Sequence, residues 1–264
     1  LDELGKRMAL LNISLPGMIE QMKETRNHDL DTLDLLARGE MELLGRFVDS
    51  WNQVLLVRVS DAERESLAIY KPCQGEYPLW DFPHATLCLR ERAAYLVGRA
   101  LGWPFIPPTV LRDGVLGWGM VQLHVEADPE ATYFTLRDDR LDDLMSIALF
   151  DCVANNADRK GGHLLLDAEG RIWCIDQALT FHAEPKLRTV IWDFAGEPIP
   201  PSYMGDLRRL RQGLAVDQPL ARQMSDLLAS DEMTAFRERV DRVLALGTFP
   251  FPEPGSRYLP WPLV

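Results

Sequence analysis

From Glu40 onward, apolar and polar positions alternate with a period of two, and this pattern predicts three extended segments: Glu42 to Val48, Val54 to Ser60 and Ser66 to Lys71. The period then lengthens. His84 to Leu101 has helical spacing and closes on Gly102 and Pro104, a left-handed cap followed by a residue that cannot continue a helix. Thr109 to Arg112 and Gly117 to Leu123 read as two more strands joined through Asp113-Gly114, a common hairpin pair. Beyond Pro129 the spacing is chiefly helical, over Leu141 to Ala154 and in several segments between Tyr203 and Leu246. A strand pair interrupts it, Leu164 to Leu166 and Ile172 to Ile175, turning at Asp167-Ala-Glu-Gly170. Leu1 to about Ala37 is also helical, broken at Ser14-Leu-Pro-Gly17, and the Pro- and aromatic-rich stretch from Thr248 predicts an irregular strap.

Three regions follow: a helical extension over 1–38, a sheet with one helix over 39–126, and a mainly helical part over 127–264. The extension is rich in Leu and Met and carries no evident chemistry, so its expected role is packing or homodimer formation through its helices.

Composition narrows the class. With 47% hydrophobic and 26% charged residues among 264, the chain has enough apolar surface to bury a full core. No apolar run approaches the roughly 20 residues of a membrane helix. The start, with Asp2, Glu3, Lys6 and Arg7, has no signal-peptide core, so membrane insertion is not expected and the expected location is the cytoplasm. A net charge of -12 opposes nonspecific attraction to nucleic acid or anionic lipid. Cys73, Cys88, Cys152 and Cys174 show neither a CxxC pair nor zinc spacing, which suggests reduced thiols used as small hydrophobes.

The densest chemistry lies in Leu149-Phe-Asp-Cys-Val-Ala-Asn-Asn-Ala-Asp-Arg-Lys-Gly-Gly-His163, which leaves an apolar helix for a polar loop and ends at a hairpin that delivers Ile175-Asp176. Asp158 precedes His163 by five residues, and His163 precedes Asp176 by thirteen. Phosphoryl transfer uses such a set: one acid orients the attacking hydroxyl, and two ligands hold a divalent cation on the phosphates.

Asn156-Ala-Asp-Arg-Lys-Gly-Gly-His163 with Ile175-Asp176 resembles the catalytic loop and metal-binding Asp of phosphatidylinositol 3- and 4-kinases and of HipA-like kinases. Tyr70-Lys-Pro, Gly75-Glu76, Trp80-Asp-Phe-Pro83, Arg90-Glu91 and Gly117-Trp-Gly-Met-Val-Gln122 extend the likeness to a bacterial family, frequent in actinobacteria, distantly related to those lipid kinases. The resemblance spans roughly Leu35 to Leu214. It implies an α+β, protein-kinase-like (phosphatidylinositol-kinase-like) fold of two lobes: an N-lobe antiparallel sheet plus one helix, and a mainly helical C-lobe.

The resemblance also implies roles. Lys71 would contact the α and β phosphates, held by Glu91 on the following helix, with Glu76 as a rival partner. Asp158 would orient or deprotonate the acceptor hydroxyl, and Arg159 would pair with a carboxylate or phosphate. Asp49-Ser-Trp-Asn-Gln53 is no glycine-rich loop; Ser50 and Asn52 either offer donors to the phosphates or form an ordinary hairpin turn. Met120, Val121, Gln122 and Leu123 would line the adenine slot, with core packing as the alternative reading. Asp176 and His163 would hold the metal. His163 stands where those kinases carry Asn, and imidazole suits Mg²⁺ less well than oxygen does, so both Mg²⁺ and Mn²⁺ stay open. Asn155 or Asn156 could supply an oxygen instead, or cap the helix. His182 reads as a core histidine.

The function expected is an ATP- and divalent-metal-dependent phosphotransferase, an atypical kinase acting on a hydroxyl of a protein or small-molecule acceptor. The alternatives are a pseudokinase serving as a nucleotide-binding interaction module, an AMP transferase, and a purely structural protein.

Overall fold

A computed structural model describes residues 29–47 and 52–264. The elements in chain order are α1 (residues 29–38), β1 (Glu40–Phe47), β2 (Val54–Ser60), β3 (Glu65–Pro72), α2 (Leu87–Leu101), β4 (Thr109–Gly114) and β5 (Gly117–Leu123). They continue with α3 (Tyr133–Leu136), α4 (Leu141–Ala154), β6 (Leu164–Leu166), β7 (Ile172–Cys174), α5 (Pro201–Gly213), α6 (Pro219–Ser225) and α7 (Ser230–Leu246). β1 to β5 form one antiparallel sheet in the order β1-β2-β3-β5-β4, and β6 pairs with β7 alone.

The period-two pattern of β2 and β3 buries Leu55, Val57, Val59, Ala68 and Tyr70 on one face, where Leu35 and Leu36 of α1 cover them. Gly39 permits the sharp entry from α1 into β1, since a Cβ there would lie 2.7 Å from Val59 Cγ1. Gly119 serves the register beside Lys71: a Cβ would sit 2.5 Å from the Lys71 carbonyl oxygen. The larger core joins α2 to the helical part, with Ala94, Val97 and Leu101 packed among residues such as Leu144, Phe150, Phe181 and Phe236. α2 thus belongs to both halves, resting beside the sheet while its apolar face sits in the helical core.

β2, β5, α4 and β6 have the bounds the pattern predicts, α6 and α7 fall within the expected helical stretch, and α5 begins two residues before it at Pro201. α2 starts at Leu87 rather than His84, because Glu76 caps it there: its carboxylate accepts the N–H groups of Leu87 at 3.1 Å and Cys88 at 2.8 Å. The strap from Thr248 runs along the helical half and reaches the loop after α4, where Gly161 N–H donates to Leu263 O at 2.7 Å. The break at Ser14 to Gly17 and the helices expected before residue 29 lie outside the described residues. No helix among the described residues is long and apolar enough to cross a membrane.

One expectation is overturned. Cys73 and Cys88 form a disulfide, so only Cys152 and Cys174 are free thiols. The linear spacing of 15 residues matches no short motif. It is the packing of the β3 end against the first turn of α2 that brings the two sulfurs together.

Candidate active site

The loop after α4 is built around a buried acid. Asp151 lies in the last turn of α4 with no exposed surface, and Arg159, equally buried, places Nε 3.2 Å from both of its carboxylate oxygens. Asn156 Nδ2 and Thr189 Oγ1 donate to the same carboxylate at 2.9 and 3.0 Å. Such a charge is tolerated inside only because each lone pair finds a donor. Asn155 takes the left-handed cap of α4 and binds the 182–186 segment, accepting the Lys186 N–H at 2.8 Å and donating to His182 O and Glu184 O. Asn156 Oδ1 accepts the Asp158 N–H at 3.0 Å. Both asparagines are thus committed to the scaffold.

Across the cleft, Lys71 at the end of β3 places Nζ 2.8 Å from Glu91 Oε1 and 2.7 Å from Asp176 Oδ1. Glu91 is buried, and its second oxygen accepts the Gln177 N–H at 2.9 Å, which ties α2 to the turn carrying Asp176. Asp176 has φ of 62°, a left-handed conformation that aspartate tolerates better than most residues. Burial works against the Lys71 ammonium, but Asp176 and Glu91 outweigh it and hold the amine well above the usual lysine range. Lys71 in turn holds the Asp176 carboxyl well below the usual carboxylate range. Lys71 and Asp176 are therefore both charged at neutral pH.

Asp158 lies on the opposite wall. Burial raises its pKa, and Lys160, whose Nζ is 3.3 Å from Asp158 Oδ2, pulls it back down. His163 Nδ1 accepts the Lys160 N–H at 3.3 Å, while Nε2 is 3.5 Å from Asp176 Oδ2. Burial pushes the His163 pKa down to about 4, so the ring is neutral at pH 7. With Nδ1 accepting, the proton sits on Nε2 and faces Asp176. Metal binding through Nε2 therefore requires the other tautomer and the loss of the Lys160 contact.

Asn52, Lys71, Gln122, Leu123, Asp158, His163 and Asp176 all line one cleft of about 1360 Å³. Asn52 Oδ1 accepts the Tyr77 N–H at 2.7 Å, which ties the start of β2 to the loop after β3. Ser50 lies outside the described residues. Arg159 faces the scaffold, with Nη2 donating to Gln177 Oε1 at 2.7 Å and Nη1 to Ile175 O at 3.0 Å. Met120 packs with Cys73 and Cys88, and Val121 lies in the sheet core, so the packing alternative holds for these two. Glu76 is the α2 cap and makes no bond to Lys71. His182 is structural, bonded to Asp81 O at 2.8 Å and packed edge-on to Phe82.

Four residues escaped sequence reasoning. Lys160 and Arg46 line the cleft and add positive charge to it. Asp151 was legible in principle, because an acid among apolar residues, here between Phe150 and Cys152-Val-Ala154, must be paired or exposed. Arg188 flanks the loop after α4 through its backbone, donating to Asn156 O at 2.8 Å and accepting from Arg159 at 2.9 Å. Its Nε is buried without a hydrogen-bond partner among the described residues.

Comparison with known proteins now bears on this arrangement. The protein Rv2133c of Mycobacterium tuberculosis is 36% identical over 263 aligned residues, covering 86% of this chain and 94% of that protein. The chain belongs to the Rv2133c family. No family model matches it. Among solved structures, the Golgi casein kinase with Mn/ADP bound superposes with a TM-score of 0.53 at 12% identity, covering 89% of this chain and 79% of that one. The Helicobacter pylori proinflammatory kinase CtkA gives 0.50 at 11% identity, covering 78% and 92%. The fold is kinase-like.

Proposed function

We propose that this protein is an ATP- and divalent-metal-dependent phosphotransferase acting on a hydroxyl of a protein or small-molecule acceptor. The observation that carries the reading is Lys71 Nζ lying between Glu91 Oε1 at 2.8 Å and Asp176 Oδ1 at 2.7 Å. A lysine fixed in this way presents a permanent positive charge to the α and β phosphates. Residues 39–126 act as the N-lobe and 127–264 as the C-lobe, with the nucleotide between them. A cleft of about 1360 Å³ exceeds the roughly 300–1,000 Å³ that holds one small ligand, so nucleotide and acceptor fit together.

Asp158 accepts the proton of the acceptor hydroxyl, and Lys160 beside it favours the ionised form against burial. Arg159 is a positioning residue, fixing the loop through Asp151. Gln122 and Leu123 border the adenine slot. Asp176 fits a hard cation, because its carboxylate is 47% exposed and Oδ2 faces only a neutral imidazole. Asp176, with His163 as second ligand in its alternative tautomer, would hold Mg²⁺ or Mn²⁺. Such an ion, when bound, neutralises phosphate charge. The kinase likeness to Golgi casein kinase, a structure with Mn/ADP bound, supports the same assignment, and the sequence motifs supply the finer likeness to phosphatidylinositol and HipA-like kinases.

The test is transfer from ATP labelled at either the γ or the α phosphate, in Mn²⁺ and in Mg²⁺, with the wild type and Asp158→Asn. Label arriving from the γ phosphate, and lost in the variant, is the expected result. Label from the α phosphate would establish AMP transfer instead, and nucleotide binding without transfer to any acceptor would leave a binding module.

A further inference from the structure

The Cys73–Cys88 disulfide joins the two elements that carry the Lys71–Glu91 pair. Cys73 follows the last residue of β3, two positions after Lys71, and Cys88 lies in the first turn of α2, three positions before Glu91. Both the covalent bond and the 2.8 Å ion pair therefore cross the same gap between strand and helix. The sulfurs pack with Met120, and Glu76 closes the cluster, its carboxylate bound to the N–H groups of Leu87 and Cys88. No role assigned in the cleft uses either sulfur.

We propose that Cys73 and Cys88 are a reversible redox modification site: oxidised, they latch β3 to α2 and hold Lys71 and Glu91 in nucleotide-binding geometry, and reduced, they slacken that geometry. This inference rests on the cleft being a nucleotide site. The reductant is a dithiol. Its thiolate attacks the sulfur of Cys73, whose residue is 8% exposed against 2% for Cys88, forming a mixed disulfide and releasing Cys88 as a thiolate that takes up a proton. The second thiolate of the reductant then displaces the Cys73 sulfur, which is protonated in turn. Two electrons pass to the protein, and the reductant leaves as its own disulfide.

Reduction loosens the junction because the short closed loop regains the freedom that the crosslink removed. One sulfur from each cysteine and a Glu76 oxygen lie within 4.8 Å of one another in a buried cluster, so two separate thiols there must also find more room than the bonded sulfurs took.

The experiment measures ATP affinity in Mn²⁺ by calorimetry on the whole protein, in a disulfide-maintaining buffer and in dithiothreitol. Free thiols are counted by mass after alkylation, and hydrogen exchange is followed over β3 and the start of α2. Reduction is expected to weaken ATP binding about tenfold and to speed exchange at residues 87–92. The Cys73→Ala/Cys88→Ala variant should match the reduced wild type in both buffers. Equal affinity and equal exchange in the two redox states would overturn the latch. So would stoichiometric zinc held by Cys73, Glu76 and Cys88 in the isolated protein, since that makes the cluster a structural metal site. Should neither redox state bind ATP, the nucleotide reading fails, and exchange decides the latch separately: redox-dependent exchange at the start of α2 upholds it, and redox-independent exchange overturns it.

Discussion

Asp151 Oδ1 lies 3.1 Å from Arg159 Nη2, and neither side chain has any exposed surface. One carboxylate at the end of α4 thereby holds the loop that presents Asp158. Replacing Asp151 by Ala leaves a guanidinium buried without its counter-charge, at a cost of about 3–5 kcal/mol. Urea unfolding of Asp151→Ala should show this loss. A change of less than about 1 kcal/mol would mean that the pair does not anchor the loop.

Lys71→Met is expected to lower turnover about 10²- to 10³-fold while leaving the fold intact, because a fixed charge aimed at the phosphates is removed. Steady-state kinetics with a circular dichroism control checks it. Retention of more than half the wild-type rate would remove Lys71 from the chemistry.

The raised pKa of Asp158 sets an acid limb. Its carboxylate must be ionised to take the hydroxyl proton, so activity should fall on acidification while the pH is still above the ordinary carboxylate range. Lys160 opposes the burial that raises this pKa, so Lys160→Ala should move the limb to higher pH. A limb that stays in place, or moves down, would show that Lys160 does not act on Asp158. The pH dependence of kcat/KM for both proteins decides this.

His163, neutral with its pKa near 4, offers one nitrogen where an amide oxygen would suit Mg²⁺ better. His163→Asn should therefore raise the rate in Mg²⁺ relative to Mn²⁺. An unchanged ratio would show that His163 is not a metal ligand and serves only to orient Asp176.

The sheet was legible because its strands are apolar segments bounded by turn residues: β2 buries alternate residues, and β5 buries Gly119 to Gln122 in succession. The principal charged residues were legible for a different reason. Lys71 at a strand end, Glu91 on the next helix and Asp176 after a hairpin are ordered by the chain, and the fold brings all three into contact. What stayed hidden was which way each side chain turns. Arg159 sits next to Asp158 in sequence yet faces the opposite side, drawn by the buried Asp151. Met120 and Val121 follow the strand alternation into two separate cores, which leaves Gln122 and Leu123 at the cleft. The disulfide was invisible because it depends on where a strand ends relative to a helix start, a relation that no linear spacing encodes.

The most direct test is a thermal-shift titration with ATP and Mn²⁺ on the wild type and on Asp176→Ala. Saturating nucleotide at about 100 times its Kd should raise the wild-type melting temperature by about 5–10 °C. The rise should require the metal and disappear in the variant. A melting temperature indifferent to nucleotide in both proteins, with Mn²⁺ or with Mg²⁺, would contradict a nucleotide site between Lys71 and Asp176.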